Sequence, residues 1–395
     1  MAQVQELFVI KETNHKVSVA SEGSYELKVE DSGSSDSISG IAGSTEISLT
    51  SLPKHLVENT VYVVDSVKSG TGRSTAKDLY KQVIKPVFDL LKIKHHYVAT
   101  TSASSISDLA KSFDSTFSST VLFISGDTSV NEFVNNLPQN NNSAEISIFP
   151  FPSGTGNSLA LSLDLTDEIS ALRRLIVPTS TVSPLNLYEA NFPKGSYFLV
   201  QDEKTDEITT SLKFLVVTSW AFHASLVADS DTPELRKHGL ERFKLAAYSN
   251  LSQEQKYEGQ FSIDNELVDG PFAYWLLTSS QRFEPTFEIS PKGDIFERSL
   301  FLVSFNTEND KDYIMGIMGE VYNKGSHIDN DKVTYKKITA DSKHIVLSTK
   351  NSKDIRKRRF CLDGSIIALP DANEHEVSFR VSGSNQFNWN LYIIH

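Results

Sequence analysis

Three turns rich in small residues have the composition and placement of phosphate-binding sites. In chain order they are Ser69-Gly70-Thr71-Gly72-Arg73, Ser125-Gly126-Asp127 and Pro152-Ser153-Gly154-Thr155-Gly156-Asn157. Each follows a short apolar run, so unpaired N–H groups and the positive end of a following helix would face one point. Glycine suits such turns because it lets the backbone approach a phosphate closely. The Gly-Lys-Ser/Thr ending of a P-loop is missing from the sequence, which excludes that class of kinase.

The turns need a sheet that holds them side by side. Apolar runs at 61–64, 97–99, 121–124 and 146–149 alternate with helical patterns. This alternation is typical of a parallel α/β sheet, which binds ligands at the carboxyl ends of its strands. We therefore expect the three turns to meet at one edge of the sheet. Pro86 should bend or interrupt the helix predicted between the first two runs.

The segments on either side have a different pattern. Three short strand patterns and a Ser/Gly-rich loop over 31–51 indicate an N-terminal β-rich extension, residues 1–55; the strand patterns lie at 7–10, 16–20 and 25–29. After Pro184 strand patterns dominate, with one helical interval at 234–250.

The predicted fold class is therefore α/β plus all-β. A parallel α/β nucleotide-binding domain at 56–184 is followed by a β-sandwich domain at 185–395.

Composition limits the partners. The 395 residues carry a net charge of −12, which argues against nucleic acid because its binding needs a basic surface. The sequence has no apolar run of about 18 residues, so we expect no transmembrane segment. The single cysteine, Cys361, fits a reducing compartment, and we expect a cytoplasmic protein that meets membranes peripherally. A basic stretch at 353–359 is either a solvated turn or a membrane contact, and a homodimer is left open.

Four motifs in order resemble the catalytic domain of diacylglycerol, sphingosine and ceramide kinases. Residues 125–137 are similar to the family's Gly-Asp-Gly segment, and 152–160 to its Gly-Thr-Gly-Asn loop. Trp220-Ala221-Phe222 with Arg236–Phe243 resembles the sphingosine and ceramide kinase branch, and Cys361-Leu362-Asp363-Gly364 resembles the late Asp-Gly. The resemblance runs from about Val61 to Gly364. It implies an NAD-kinase/diacylglycerol-kinase-like nucleotide domain followed by a β-sandwich.

The resemblance also implies roles for individual residues. Asp127 would be the base that takes the proton from a lipid hydroxyl, and Arg236 and Arg242 would clamp the ATP phosphates. The other implied nucleotide contacts are Ser125, Gly126, Glu132, Gly154, Thr155, Gly156, Asp363 and Gly364, with Thr100 in a looser alignment. ATP and Mg²⁺ are the expected cofactors. Mg²⁺ is implied by phosphoryl-transfer chemistry, since the sequence shows no dedicated metal-ligand motif.

Each assignment has a structural alternative. Asp127 could cap a helix, and Glu132 could be an acid that favours the first turn of a helix. The two arginines, six residues apart, do not share one face of a single helix, and Asp363-Gly364 could be an ordinary turn. His223 is expected to be a packed or hydrogen-bonded residue.

The chain also departs from the family pattern around the phosphates. Thr128 replaces a glycine, Asp65-Ser66 replaces Asn-Pro, and Ser365 replaces an acid.

The acceptor side departs as well. Ser225 and Val227 stand where sphingosine kinases carry headgroup-binding acids, with Asp229 and Asp231 close by.

The predicted function is an ATP-dependent lipid kinase acting at a membrane surface, with a sphingoid base or ceramide as acceptor before diacylglycerol. The alternatives are a nucleotide- or lipid-binding protein of the same fold without catalysis, and an NAD kinase.

Overall fold

The N-terminal extension forms its own small sheet. The computed structural model describes residues 3–31, 45–70, 72, 74, 77–308, 312–350, 352–381 and 388–395. The first strands are β1 Gln3–Ile10, β2 His15–Ser21, β3 Tyr25–Asp31 and β4 Glu46–Ile47. They pair in the order β3-β2-β1-β4. Leu7 and Phe8 are buried in the same apolar cluster as the α/β core, so this sheet packs on the next domain. Most of the predicted Ser/Gly-rich loop lies outside the described residues.

The next part of the chain alternates strands and helices as predicted. Its elements are α1 Lys54–Val57, β5 Thr60–Asp65, α2 Lys85–Leu90, β6 His95–Ala99, α3 Ser105–Lys111, β7 Ser119–Ser125, α4 Asp127–Asn136, β8 Glu145–Pro152, α5 Ser158–Ser162 and α6 Glu168–Ile176. Strands β6, β5, β7 and β8 are adjacent and parallel. Every residue of β7 is buried, as expected for a central parallel strand covered on both faces. The interruption predicted at Pro86 takes the form of a π-helical turn, Tyr80–Ile84, which becomes α-helical at Lys85.

The remaining chain is rich in strands. Its elements are β9 Val182–Pro184, β10 Tyr188–Asn191, β11 Tyr197–Val200, β12 Glu203–Glu207, β13 Leu212–Phe214, β14 Val217–Ala221, α7 Phe222–Ser230, α8 Pro233–Arg236, α9 Glu241–Leu251, β15 Gly259–Ile263, β16 Glu266–Asp269, β17 Phe272–Thr278, β18 Ser299–Asn306, α10 Tyr313–Tyr322, β19 Val333–Thr339, β20 Ile345–Lys350, β21 Arg359–Leu362, β22 Ser365–Ala368, β23 Glu374–Arg380 and β24 Asn390–Ile394. Short 3₁₀ turns lie at Ser326–Asp329 and Ile355–Arg358.

Two of the sheets confirm the predicted sandwich. One has the order β13-β10-β23-β20-β15-β16, and the other has the order β12-β11-β22-β21-β14-β17-β18-β19. Alternate residues of β17 face opposite sides: Trp275 and Leu277 join the sandwich core, whereas Tyr274 and Leu276 join the cluster shared with the α/β domain. The sandwich therefore presents one face of β17 to the nucleotide domain.

The last strand corrects the predicted domain boundary. The sequence analysis placed all of 185–395 in the sandwich, but β24 pairs parallel to β8 and antiparallel to β9. The α/β sheet thus has the order β6-β5-β7-β8-β24-β9. A short apolar run fits any sheet with an unpaired edge, so its partner is chosen by tertiary structure.

The helices of the second half also differ from the prediction. The single interval at 234–250 is two helices, α8 and α9, separated at Gly239, which has a φ of +55°. A residue in this left-handed region ends a helix. Helices α7 and α10 were not predicted. Within the described ranges, none of the helices is long and apolar enough to cross a bilayer.

Three basic side chains of the stretch at 353–359 form ion pairs with acidic residues of the same chain. Arg356 pairs with Asp354, Lys357 with Glu254, and Arg359 with Asp202 and Asp229. These ion pairs favour a structural role for the stretch over a membrane contact.

The C-terminal strand should contribute strongly to stability. Ile393 is 1% exposed in β24, so Ile393→Ala should lower the free energy of unfolding by about 2–5 kcal/mol, measured by urea denaturation. The exposed Asn390 in the same strand provides the control. Asn390→Ala should change the free energy of unfolding by less than about 0.5 kcal/mol. Equal effects of the two substitutions would show that β24 is not part of the cooperative core.

Candidate active site

The glycine-containing turns meet at the carboxyl ends of β5, β7 and β8. Gly126 and Gly154 pack backbone to backbone: a Cβ added to Gly154 would lie 2.5 Å from Gly126 Cα. Gly70 has a φ of +62°, and a Cβ there would lie 2.9 Å from the Ser153 carbonyl oxygen. Thr71 and Arg73 lie outside the described residues. A Cβ on Gly126 would make an ordinary contact of 3.5 Å with Gly154 Cα, so packing requires glycine at 70 and 154.

Asn157 ties two of the turns together. Its amide group donates to the carbonyl oxygens of Ser125 (2.8 Å) and Phe151 (3.2 Å). Its Oδ1 accepts from the Ala160 N–H at 3.3 Å and so caps α5. Ser125 is buried, and its hydroxyl donates to the Gly126 carbonyl oxygen. The sequence analysis quoted Asn157 in its motif without assigning it this role.

Asp127 is held at the start of α5. Its two carboxylate oxygens accept from the N–H groups of Ser158 (2.7 Å) and Leu159 (3.2 Å). Burial and the charge of nearby Asp363 raise the pKa of the Asp127 carboxyl to about 7, against the opposing effect of these two hydrogen bonds. Asp127 therefore caps the helix that follows the neighbouring turn, and it titrates near neutral pH, where a general base works well.

Asp363 joins the sandwich to the α/β domain. Its carboxylate accepts from the backbone N–H groups of residues 215–217 at 2.6, 3.0 and 2.9 Å, and from Asn131 Nδ2 at 2.8 Å. Burial raises the pKa of Asp363 to about 6, although these donors oppose the shift. Asp363 (φ +46°) and Gly364 (φ +93°) form a tight turn beside Asp127. The Asp-Gly pair is thus a turn, as the structural alternative held, and it lies at the site.

The arginine pair converges on one carboxylate. Arg236 donates to both oxygens of Asp231 at 2.7 and 2.9 Å, and Arg242 donates to Asp231 Oδ1 at 3.3 Å. The break at Gly239 removes the objection that residues six apart cannot share a face. Asp231 holds two forked cations at the cavity wall.

Glu132 and Thr100 also reach this region. Glu132 accepts from the Ser107 N–H at 3.1 Å, and burial raises the pKa of its carboxyl. The Thr100 hydroxyl accepts from the Val67 N–H at 3.2 Å. Together with Thr155 and Gly156, both line the same cavity as Asp127.

Residues 61–185 match the sequence model of the diacylglycerol kinase catalytic domain. This segment belongs to the diacylglycerol kinase catalytic-domain family. A stretch of 119 residues is 34% identical to sphingoid long-chain bases kinase 1 of Arabidopsis thaliana. That match covers 29% of this chain and 15% of the curated relative.

Solved structures support the fold beyond that segment. The crystal structure of a diacylglycerol kinase from Bacillus anthracis str. Sterne matches with a TM-score of 0.53 at 13% identity. Two further structures from the same strain match with TM-scores of 0.56 at 14% and 15% identity. Each comparison covers 85% of this chain and 97% of the other. At this identity the likeness concerns the fold alone.

Two departures from the family pattern, Thr128 and Asp65, are accommodated locally. Thr128 has no positive φ, and its hydroxyl donates to the Asp363 carbonyl oxygen at 3.1 Å. Gly364 has a φ of +93°, and a Cβ there would also lie 2.5 Å from that hydroxyl, so both its backbone conformation and Thr128 favour glycine at 364. Asp65 is buried and accepts from the Tyr97 hydroxyl at 3.1 Å. Thr128 and Asp65 are thus bonded to protein groups.

A cavity of 580 Å³ extends from the glycine-containing turns of the α/β domain into the sandwich domain. Its far half is apolar and is formed by α7, α9, α10 and the 283–287 loop. Its lining includes Phe222, Leu226, Phe243, Phe283, Phe287, Met315 and Met318. The sequence analysis missed this half because apolar lining residues have the same pattern as core residues. The exposure of Met315 in an otherwise apolar helix marks this half only once the chain is folded.

The contact between the glycine turns can be tested with two alanine substitutions. Gly154→Ala would push a Cβ against the Gly126 backbone, which should cost about 1–3 kcal/mol of unfolding free energy. The control is Gly316→Ala, at an exposed position in α10 where no atom lies within 4 Å of the new Cβ. This change should stabilise the protein by up to about 1 kcal/mol. Denaturant midpoints measure both, and an equally tolerated Gly154→Ala would contradict the packing described here.

Proposed function

We propose that the protein is an ATP-dependent kinase that transfers the γ-phosphate to the hydroxyl of a membrane lipid. The observation that carries the proposal is the position of Asp127, whose carboxyl titrates near pH 7 in a cavity with a polar and an apolar half. A lipid whose chain occupied the apolar half could present its hydroxyl to Asp127. An acyl chain would bury its methylene groups against this lining, which favours a lipid over NAD as acceptor.

The polar half suits a nucleotide triphosphate. Turns at Gly126 and at 154–156 offer backbone approach without side chains, and Arg236 and Arg242 supply fixed positive charge. The phosphates would compete with Asp231 for these arginines. Forked guanidinium donors match phosphate oxygens better than lysine would.

The chemistry assigned to Asp127 is proton removal from the acceptor hydroxyl as its oxygen attacks the γ-phosphorus. Mg²⁺ bound with ATP would neutralise charge on the phosphate oxygens. Among the described residues there is no group of three or more acidic, histidine or cysteine side chains placed to hold a metal. The Asp363 carboxylate already accepts four hydrogen bonds from protein donors. The residues present therefore fit a Mg²⁺ that arrives with the nucleotide and is held mainly by phosphates and water.

The acceptor is a sphingoid base, a ceramide or a diacylglycerol. The Arabidopsis thaliana relative is named for sphingoid long-chain bases, and the Bacillus anthracis structure is named as a diacylglycerol kinase. A cytoplasmic location, contact with a membrane surface and a homodimer stay predictions.

Substitution of Asp127 tests the proposal directly. Asp127→Asn should reduce transfer of radiolabelled phosphate from ATP to lipid by about 100-fold or more, because general bases contribute on the order of 10²–10⁴-fold. For the unsubstituted protein, kcat/KM should fall about tenfold per pH unit below about pH 7, since only the ionised carboxylate accepts a proton.

The control is Asp114→Asn, an exposed aspartate of the same domain, which should keep the activity. A panel of sphingoid base, ceramide and diacylglycerol serves as acceptor. ATP binding without transfer to any of them would support the non-catalytic alternative. The replacement of the family's acid by Ser365 favours that alternative.

The arginine pair gives an independent prediction. Arg242→Ala should raise the KM for ATP by about tenfold to 100-fold with a smaller change in the KM for lipid, since hydrogen bonds to charged groups contribute about 1.5–3 kcal/mol each. Arg380→Ala, an exposed position on β23, is the control. An unchanged KM for ATP in the Arg242 variant would remove this pair from the nucleotide site.

A further inference from the structure

One strand of the sandwich carries an unpartnered polar group to the wall of the cavity. The hydroxyl of Tyr274 is buried and has no hydrogen-bond partner among the described residues. Its side chain lies on the face of β17 that points away from the sandwich core, and it lines the cavity. A buried hydroxyl without a partner is costly, and such groups persist where a ligand completes them.

His223 lies beside this hydroxyl. Its ring centroid is 6.0 Å from that of Tyr274, and its Nδ1 is hydrogen bonded to Ser219 Oγ at 2.7 Å. Its Nε2 is the ring atom left for a ligand in the cavity that His223 lines. Burial lowers the pKa of His223 to about 4, so the imidazole is neutral at pH 7. His223 and Tyr274 together form a neutral polar pair in an otherwise apolar region.

The pair is close to the phosphate-binding turns. The Phe283 ring lies 5.3 Å from the His223 ring, centroid to centroid, and the Phe283 carbonyl oxygen lies 3.8 Å from the position of a Cβ on Gly156. A single residue therefore separates the polar pair from the second phosphate turn. A lipid headgroup presenting a hydroxyl to Asp127 would reach this pair with its next polar atoms.

Apart from Asp127, which faces the acceptor hydroxyl, the carboxylates that line the cavity have other partners. Asp363 is filled by its donors, Asp231 is neutralised by two arginines, and Glu132 accepts from Ser107 on the nucleotide side. Glu284 accepts from the Tyr322 hydroxyl at the end of α10.

The positions expected to hold an amine carry no free charge either. Ser225 is fully buried against the Tyr257 hydroxyl, Val227 is apolar, and Asp229 pairs with Arg359. The one carboxylate near the acceptor, Asp127, is assigned to the hydroxyl proton, so a cationic headgroup would leave water without a counter-charge of its own and would lie near Arg236 and Arg242.

We propose that the acceptor is an uncharged lipid, with a free hydroxyl next to an amide or ester, whose headgroup is hydrogen bonded by Tyr274 and His223. This inference rests on the proposed lipid kinase function and narrows its substrate class. Ceramide and diacylglycerol share this chemistry, whereas a sphingoid base carries an ammonium group in its place. Tyr274 and His223 act as specificity-determining residues, and Asp127 acts as the base.

The first experiment compares acceptors of matched chain length in mixed micelles with ATP and Mg²⁺. We expect kcat/KM for ceramide or diacylglycerol to exceed that for sphinganine by about tenfold or more, as expected when a group is buried unpaired. The two neutral lipids are assayed separately, so their ratio shows whether an amide or an ester is preferred. Equal or better use of sphinganine would overturn the proposal and leave the lipid kinase function standing.

The second experiment removes one hydroxyl. Tyr274→Phe should lower kcat/KM for the neutral lipid by about fivefold to tenfold and leave the KM for ATP unchanged, while its thermal midpoint should not fall below that of the unsubstituted protein. Tyr335→Phe is the matched control: its hydroxyl bonds to Ser290 Oγ and the Lys292 N–H outside the cavity, so its loss should lower the midpoint and spare lipid use. Unchanged lipid kinetics in Tyr274→Phe would overturn the role of this hydroxyl.

A binding measurement separates failure of this inference from failure of the proposed function. Fluorescent ceramide, diacylglycerol and sphinganine analogues are titrated into the protein without ATP. If the protein phosphorylates none of the lipids, the kinase function fails, and tighter binding of the neutral analogues still supports the inference. Equal or tighter binding of the sphinganine analogue overturns it.

Discussion

The contact between Gly126 and Gly154 is the constraint on which the site depends. Strands β7 and β8 are neighbours in a parallel sheet, so their carboxyl ends must turn away side by side. Only a residue without a Cβ at 154 lets the two turns touch, because an added Cβ there would lie 2.5 Å from Gly126 Cα. Asn157 then fixes the second turn to the first through the Ser125 carbonyl oxygen. The two turns are thereby held together, and Asp127 is hydrogen bonded to the start of α5 beside them.

The site is completed by the second domain. Asp363 comes from the turn between β21 and β22 of the sandwich, yet its carboxylate binds Asn131 of α4 and raises the pKa of Asp127. The buried Asp363 carboxylate thus links the two domains and raises the pKa of the Asp127 carboxyl. Docking of the sandwich is thereby coupled to the pKa of Asp127, the proposed base.

The cavity has two chemical characters that suit two substrates. Near the glycine-containing turns the cavity is lined by backbone groups and arginine side chains, and beyond His223 it is lined by aromatic rings and methionine side chains. Glu284, a carboxylate in this half, accepts a hydrogen bond from the Tyr322 hydroxyl. The sandwich supplies this half because β17 faces both ways: Trp275 packs in the sandwich core while Tyr274 reaches the cavity.

The sequence by itself determined the local chemistry. The sequence predicted the buried strands β5, β7 and β8 and the glycine-containing turns after them. These predictions used the hydrophobic periodicity, the composition and the conformational freedom of glycine, all of which depend on neighbours in the chain. The order of the motifs then indicated the family, the two-domain fold and the arginine pair. Tertiary structure decided what depends on distant contacts: the return of β24 to the first sheet, the break between α8 and α9, and the apolar half of the cavity. It also decided that Asp127 caps α5, that Asp363 accepts from four donors and that the Tyr274 hydroxyl has no hydrogen-bond partner among the described residues. Burial and partners are set only when remote segments pack together.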